Sequence, residues 1–158
     1  MKKKSLIILL IILALAVLDS KSGEQHIGLT IGSPTGLVGG LRLKQTIYEL
    51  NLGVSGNDFM TTFDKLSAKS IYTLGFKKWE FPVHLGWGIK FRNSFHPQLG
   101  LRGVIRMSYL MERYDLETFM QLAPAFRMTP SYGINVDFVI GTKIRFDTLL
   151  DILSKSKD

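Results

Sequence analysis

The sequence predicts an all-β fold, an eight-stranded antiparallel up-and-down transmembrane β-barrel, on three observations. Large apolar residues alternate with polar, charged or tiny ones in stretch after stretch, most cleanly in "VHLGWGIKFR" (83–92). Side chains on a strand point to opposite faces with period two, so this alternation is a strand signal rather than a helical one. Several windows run ten to fourteen residues; a tilted strand needs about 9–11 to cross a bilayer, against about 5–6 for a usual soluble strand. Glycine recurs on the polar side of the pattern, at Gly28, Gly53, Gly75, Gly86, Gly88, Gly100 and Gly141.

The elements follow in order. Residues 1–22 read as a signal peptide: Lys2, Lys3 and Lys4 precede an apolar run from Leu6 to Leu18, then a small-polar stretch. That run of 13 residues is short of the roughly 20 that a spanning helix needs. Cleavage is expected after Ser22, with Ala16 as the other candidate position. The barrel is expected over 23–146. Its strand windows are 26–32, 37–44, 46–55, 67–77, 83–92, 99–111, 116–128 and 133–146, with turn chemistry such as "SPTG" (33–36) between them. Connections at 33–36, 56–65, 93–98 and 129–132 fall on one side, and those at 45, 78–82 and 112–115 on the other. An even strand count puts both barrel termini on the second, periplasmic side. The tail 147–158 is read as a short periplasmic helix or disordered.

Composition narrows the chemistry. The formal charge of +7 falls to +4 without residues 1–22, sixteen cations against twelve carboxylates. With no zinc-finger, phosphate-loop or RNA-binding signature, that balance does not suggest nucleic acid. The chain has no cysteine, which excludes disulfides, thiol chemistry and a lipoprotein anchor. The three histidines, His26, His84 and His96, lack ligand spacing, and no motif pairs a nucleophile with a base. No catalytic residue, metal or cofactor is expected.

Two architectures fit eight alternating strands: a soluble lipocalin-like barrel with apolar residues inside, and an outer-membrane barrel with the reverse. Strand length, lumen-side glycine and export favour the second. Water is absent from the bilayer core, so only a helix or a closed barrel satisfies the backbone there. The polar face would then form a packed lumenal network of Arg42, Glu49, Lys69, Lys90, Arg102, Arg106, Glu117, Arg127, Asp137, Lys143 and Arg145, with glycines leaving room for the long cations. Cations outnumber carboxylates in that set, which keeps a narrow anion-leaning pore as an alternative. Tyr48, Tyr72, Trp87, Phe91, Tyr109, Phe126 and Phe146 are candidate interfacial aromatics. Extracellular-loop candidates are Asn57, Asp58, Phe59, Met60 and Phe63 in "GNDFMTTFDK", with Phe95 and His96 in the next loop.

"IGSPTGL" (31–37), "LGWG" (85–88), "LAPAF" (122–126) and "TPSYGINVDFVIGTKIRF" (129–146), in this order, resemble the small eight-stranded OmpA/OmpX-like outer-membrane barrels of spirochaetes. The resemblance spans about 28–146. It implies an integral, monomeric outer-membrane protein whose partners are membrane lipid and, through its loops, host or extracellular protein. Such barrels usually end on an aromatic residue. Phe146 fits that place, although twelve residues follow it.

Overall fold

Alternation becomes a closed wall in the computed structural model, which describes residues 23–76 and 79–155. The signal segment expected at 1–22 lies outside the described residues. The strands are β1 (Glu24–Gly32), β2 (Thr35–Arg42), β3 (Thr46–Ser55), β4 (Asp58–Ser67), β5 (Tyr72–Phe76), β6 (Trp79–Asn93), β7 (Gln98–Met111), β8 (Leu116–Arg127) and β9 (Gly133–Arg145). A 3₁₀ turn, Glu112–Tyr114, joins β7 to β8, and one α-helix, α1 (Phe146–Lys155), follows β9. All pairings are antiparallel. β1 pairs with β2 on one side and β9 on the other, and β4 pairs with β6, so eight strands close without an edge.

The register fixes the barrel's proportions. One circuit runs from Gly28 through Val38, Asn51, Thr62, Lys90, Gly100 and Arg127 to Gly133. Yet Gly28 itself faces Lys143, ten residues beyond Gly133 on β9. With the usual strand spacing and rise, eight strands with that stagger tilt by roughly 40° and leave an interior that side chains fill.

The structure corrects the strand list at one place. The segment 56–65, expected as the longest outer loop, is a two-residue turn, Gly56–Asn57, followed by barrel strand β4. Gly56 takes φ +64°, a left-handed conformation that costs glycine little. The window 67–77 is no barrel strand: it holds the end of β4, a bend and the short β5. Between the Leu66–Gly86 and Tyr72–Val83 pairs lie five residues, 67–71, against two on β6, so β5 continues β4 past a bulge. The expected connection at 78–82 is largely strand too, since β6 begins at Trp79.

The inside-out pattern is clear on β6 and β9. Trp87 and Phe138 are 59% and 45% exposed, while Lys90 and Asp137 are buried. Outward residues include Leu29, Ile31, Leu37, Val54, Leu85, Ile105, Leu122 and Ile140. The chain enters β1 and leaves β9 at the same end, here the terminal end, which also carries the β7–β8 turn. The far end carries the connections 33–34, 56–57, 94–97 and 128–132, all short.

Candidate functional site

The inward side chains build one polar ladder along the lumen, and Glu49 is its hub. Glu49 lies on β3, in register with Asp64 on β4 and Gly40 on β2. Its carboxylate accepts both Nη atoms of Arg106 in a fork, at 2.6 Å from Nη1 and closer still from Nη2. It also accepts Lys143 Nζ at 2.7 Å, and His26 Nε2 lies 3.1 Å away. Arg106 donates in addition to Gln121 Oε1, at 3.0 Å from Nε and again from Nη2. All four of Glu49, Arg106, Gln121 and Lys143 are buried. Charges taken out of water stand only if paired and hydrogen-bonded, and this hub meets that condition.

Phe119 backs the hub. Arg106 and Lys143 lie 4.4 and 5.2 Å from the centre of its ring. The ring fits because Gly141 faces Phe119 across the β8–β9 pair; a Cβ at Gly141 would lie 2.6 Å from Phe119 Cζ. Gly88 does the same for Asp64, whose Oδ1 would sit 2.1 Å from a Cβ at that position. At these two positions the space left by glycine is taken by a phenyl ring and a carboxylate, where the sequence reading expected long cations. Gly75 is not such a position: it lies in β5, with open space around it.

Toward the far end the ladder continues through Asp64, Arg102, Asp137 and Lys90. Lys90 Nζ is held by both carboxylate oxygens of Asp137, at 2.7 and 2.9 Å. Arg102 bridges the halves more loosely. Its Nε is 3.2 Å from Asp64 Oδ1 but poorly aligned, leaving Nε and Nη2 without hydrogen bonds; Nη1 reaches Asp137 at 3.4 Å. Gln121 Nε2 meets Asp64 Oδ2, also at 3.4 Å. Beyond lies a rim pair, Arg92 Nε to Asp58 Oδ2 at 2.8 Å.

Each expected lumenal residue can now be placed. Glu49, Lys90, Arg102, Arg106, Asp137 and Lys143 meet in the ladder. Glu117 joins it near the terminal end, 3.3 Å from Lys143 and 3.7 Å from Arg42, which is itself partly exposed. Arg145 is at the terminal rim, bonded to Asp115 at 2.8 Å, and Arg127 at the far rim, bonded to the Ser131 carbonyl at 2.9 Å. Lys69 corrects the set: it is exposed on the bend between β4 and β5, outside the lumen.

Among the loop candidates, Asn57, Phe95 and His96 do lie in far-end turns, and Phe95 is 94% exposed. Asp58, Phe59, Met60 and Phe63 do not, because β4 absorbs them. Met60 is wholly buried in the lumen, Phe59 and Phe63 are on the wall, and Asp58 anchors Arg92. The ladder members that sequence reading passed over are Asp64, Gln121 and His26. Asp64 was hidden with its strand. A signal existed for Gln121, which shares its strand face with Glu117 and Arg127.

Recovering β4 also changes the charge balance. It adds Asp58 and Asp64 to the inward and rim carboxylates, with Asp115 joining from the β7–β8 turn, and the buried cations Lys90, Arg102, Arg106 and Lys143 each lie within 3.4 Å of a carboxylate. No family model, curated protein or solved structure matches the chain.

Proposed function

We propose that the protein is an integral β-barrel of a bacterial outer membrane, of the small OmpA/OmpX-like kind, exported by its N-terminal segment and monomeric. Its role on this reading is structural, with surface contacts through the far-end turns. The observation that carries the proposal is the inverted radial pattern. A belt of Leu, Ile, Val, Phe and Trp surrounds a lumen in which seven charged side chains, Glu49, Asp64, Lys90, Arg102, Arg106, Asp137 and Lys143, are buried beside apolar ones such as Val38, Ile47, Leu66 and Phe119. Soluble monomers rarely expose contiguous apolar patches beyond a few hundred Å². A lipocalin-like binder would need an apolar cavity where Glu49, Arg106 and Lys143 lie. The paired ladder also favours a closed lumen over an anion-leaning pore. The shortness of the far-end turns makes the structural role primary, with Phe95 and Tyr132 the exposed aromatics available to a host or extracellular protein.

Heat modifiability tests the proposal. The mature chain should fractionate with outer membranes and shift its gel mobility only after boiling in detergent. Recovery in the soluble fraction, with no mobility shift, would refute it.

A further inference from the structure

Helix α1 has an apolar arc that the barrel only partly covers. At 100° per residue, Phe146, Leu149, Leu150 and Ile152 fall within an arc of about 160°, with Asp147 and Thr148 outside it. The helix contacts β1 and β9. Phe146, Thr148 and Leu149 are half-buried, yet Leu150 and Ile152, at the two margins of the arc, stay 49% and 53% exposed. Ten residues are about 15 Å of helix, too short to cross a bilayer.

The helix is also tied in place. Asp115, in the left-handed conformation that ends the 3₁₀ turn, accepts Thr148 Oγ1 at 3.0 Å and Arg145 Nη2 at 2.8 Å through the same oxygen. These bonds hold the first turn of α1 against the β7–β8 turn at the terminal rim. Directly before it, β9 ends on outward Ile140, Thr142 and Ile144, and its partner β1 presents outward Ile27 and Leu29. The apolar wall therefore runs along the β1–β9 seam into α1. That seam joins the first and last strands and is the pairing that closes the barrel.

We infer that α1 is a membrane-surface foot. It lies in the headgroup plane at the terminal end, with Leu150 and Ile152 in the acyl region, flanking the closing seam. Its partner is phospholipid. The inference rests on the membrane reading above, since the surface it extends is the lipid-facing belt. Amphipathic helices of this kind bury their apolar face about 5–10 Å below the headgroup boundary. Such a foot would fix the depth of the barrel and shield the β1–β9 pair where strand pairing ends.

Because the chain has no cysteine, single-cysteine variants take one label each. An environment-sensitive fluorophore would be attached to Leu150→Cys, Ile152→Cys, Asp147→Cys and, as a wall control, Phe138→Cys. Each full-length variant is first shown to be folded by its heat-modifiable mobility, then reconstituted in phosphatidylcholine vesicles with or without brominated acyl chains. Labels at 138, 150 and 152 are expected to emit at shorter wavelength and to lose half or more of their intensity to bromine, with the label at 147 unaffected. Quenching at 138 but water-like emission at 150 and 152 overturns the foot and leaves the barrel reading intact. Blue-shifted emission at 150 and 152 without quenching also overturns it, since protein rather than lipid then covers the helix. Water-like emission at all four positions removes the membrane reading and the foot together.

Discussion

Glu49 shows how a buried charge is tolerated at the scale of one residue. Its carboxylate satisfies Arg106 and Lys143 together, so removing it leaves Arg106 without a carboxylate and Lys143 with Glu117 alone. Glu49→Leu is expected to cost about 3–5 kcal/mol, measured by urea unfolding in phospholipid vesicles. The double variant Glu49→Leu/Arg106→Leu should lose less than the single one, because it removes a fork rather than orphaning half of it. A double variant that is less stable than Glu49→Leu would mean that Arg106 stabilises through other contacts. Gly141 sets the complementary limit. A methyl group there drives into the ring of Phe119, and Gly141→Ala should cost about 1–3 kcal/mol through overpacking. These charges were legible from alternation alone, since phase places Glu49, Arg106 and Lys143 on one side of their strands. Which cation meets which carboxylate depends on register across strands far apart in sequence.

Among the elements, β4 was hidden and β5 overread for the same reason. Alternation marks a strand only when its two faces differ in polarity. β4 turns Met60, Thr62, Asp64 and Leu66 inward and Phe59, Phe63 and Lys65 outward, so both faces are mixed and the period-two signal cancels. The segment "SIYTLGF" has strong local strand propensity, yet it makes only a short strand whose one partner is β6. β6 is itself unusual at its start. Residues 79–82 pair with β5, but the β6–β7 ladder begins only at Val83, next to Pro82, which has no N–H to donate. Tyr109 covers that gap, with its ring 4.7 Å from Trp79 and 5.6 Å from Phe81. Amides of 72–76 and 79–81 should therefore exchange with deuterium well before those of 86–92, which sit between β4 and β7. Equal protection of the two groups would show that the hairpin tip is as stable as the wall.

Taken whole, the molecule makes opposite demands on its two surfaces, and substitution at neighbouring positions on β9 separates them. Phe138 faces outward and Asp137 inward. Phe138→Arg should cost about 2–4 kcal/mol in a bilayer if the wall meets acyl chains, as measured by unfolding from vesicles. On a soluble barrel the same exposed change would stay within about 0.5 kcal/mol. A continuous ladder from Arg42 to Lys90 leaves little free path along the axis, so planar bilayers holding the purified protein should show no discrete conductance steps. Regular steps would restore the pore reading.

Composition and period-two patterning were enough to determine the class of fold and the phase of most strands, because a strand's two faces are set by neighbours one and two residues away; which face turns inward was read from strand length, glycine placement and the export signal. Tertiary structure decided the rest. It placed β4 in the wall, moved Lys69 out of the lumen and supplied Asp64 to the ladder. It also gave each buried cation, Lys90, Arg102, Arg106 and Lys143, a carboxylate within 3.4 Å. Those outcomes depend on barrel closure and on a ten-residue stagger, which are sums over eight pairings and leave no trace in any single window of the chain.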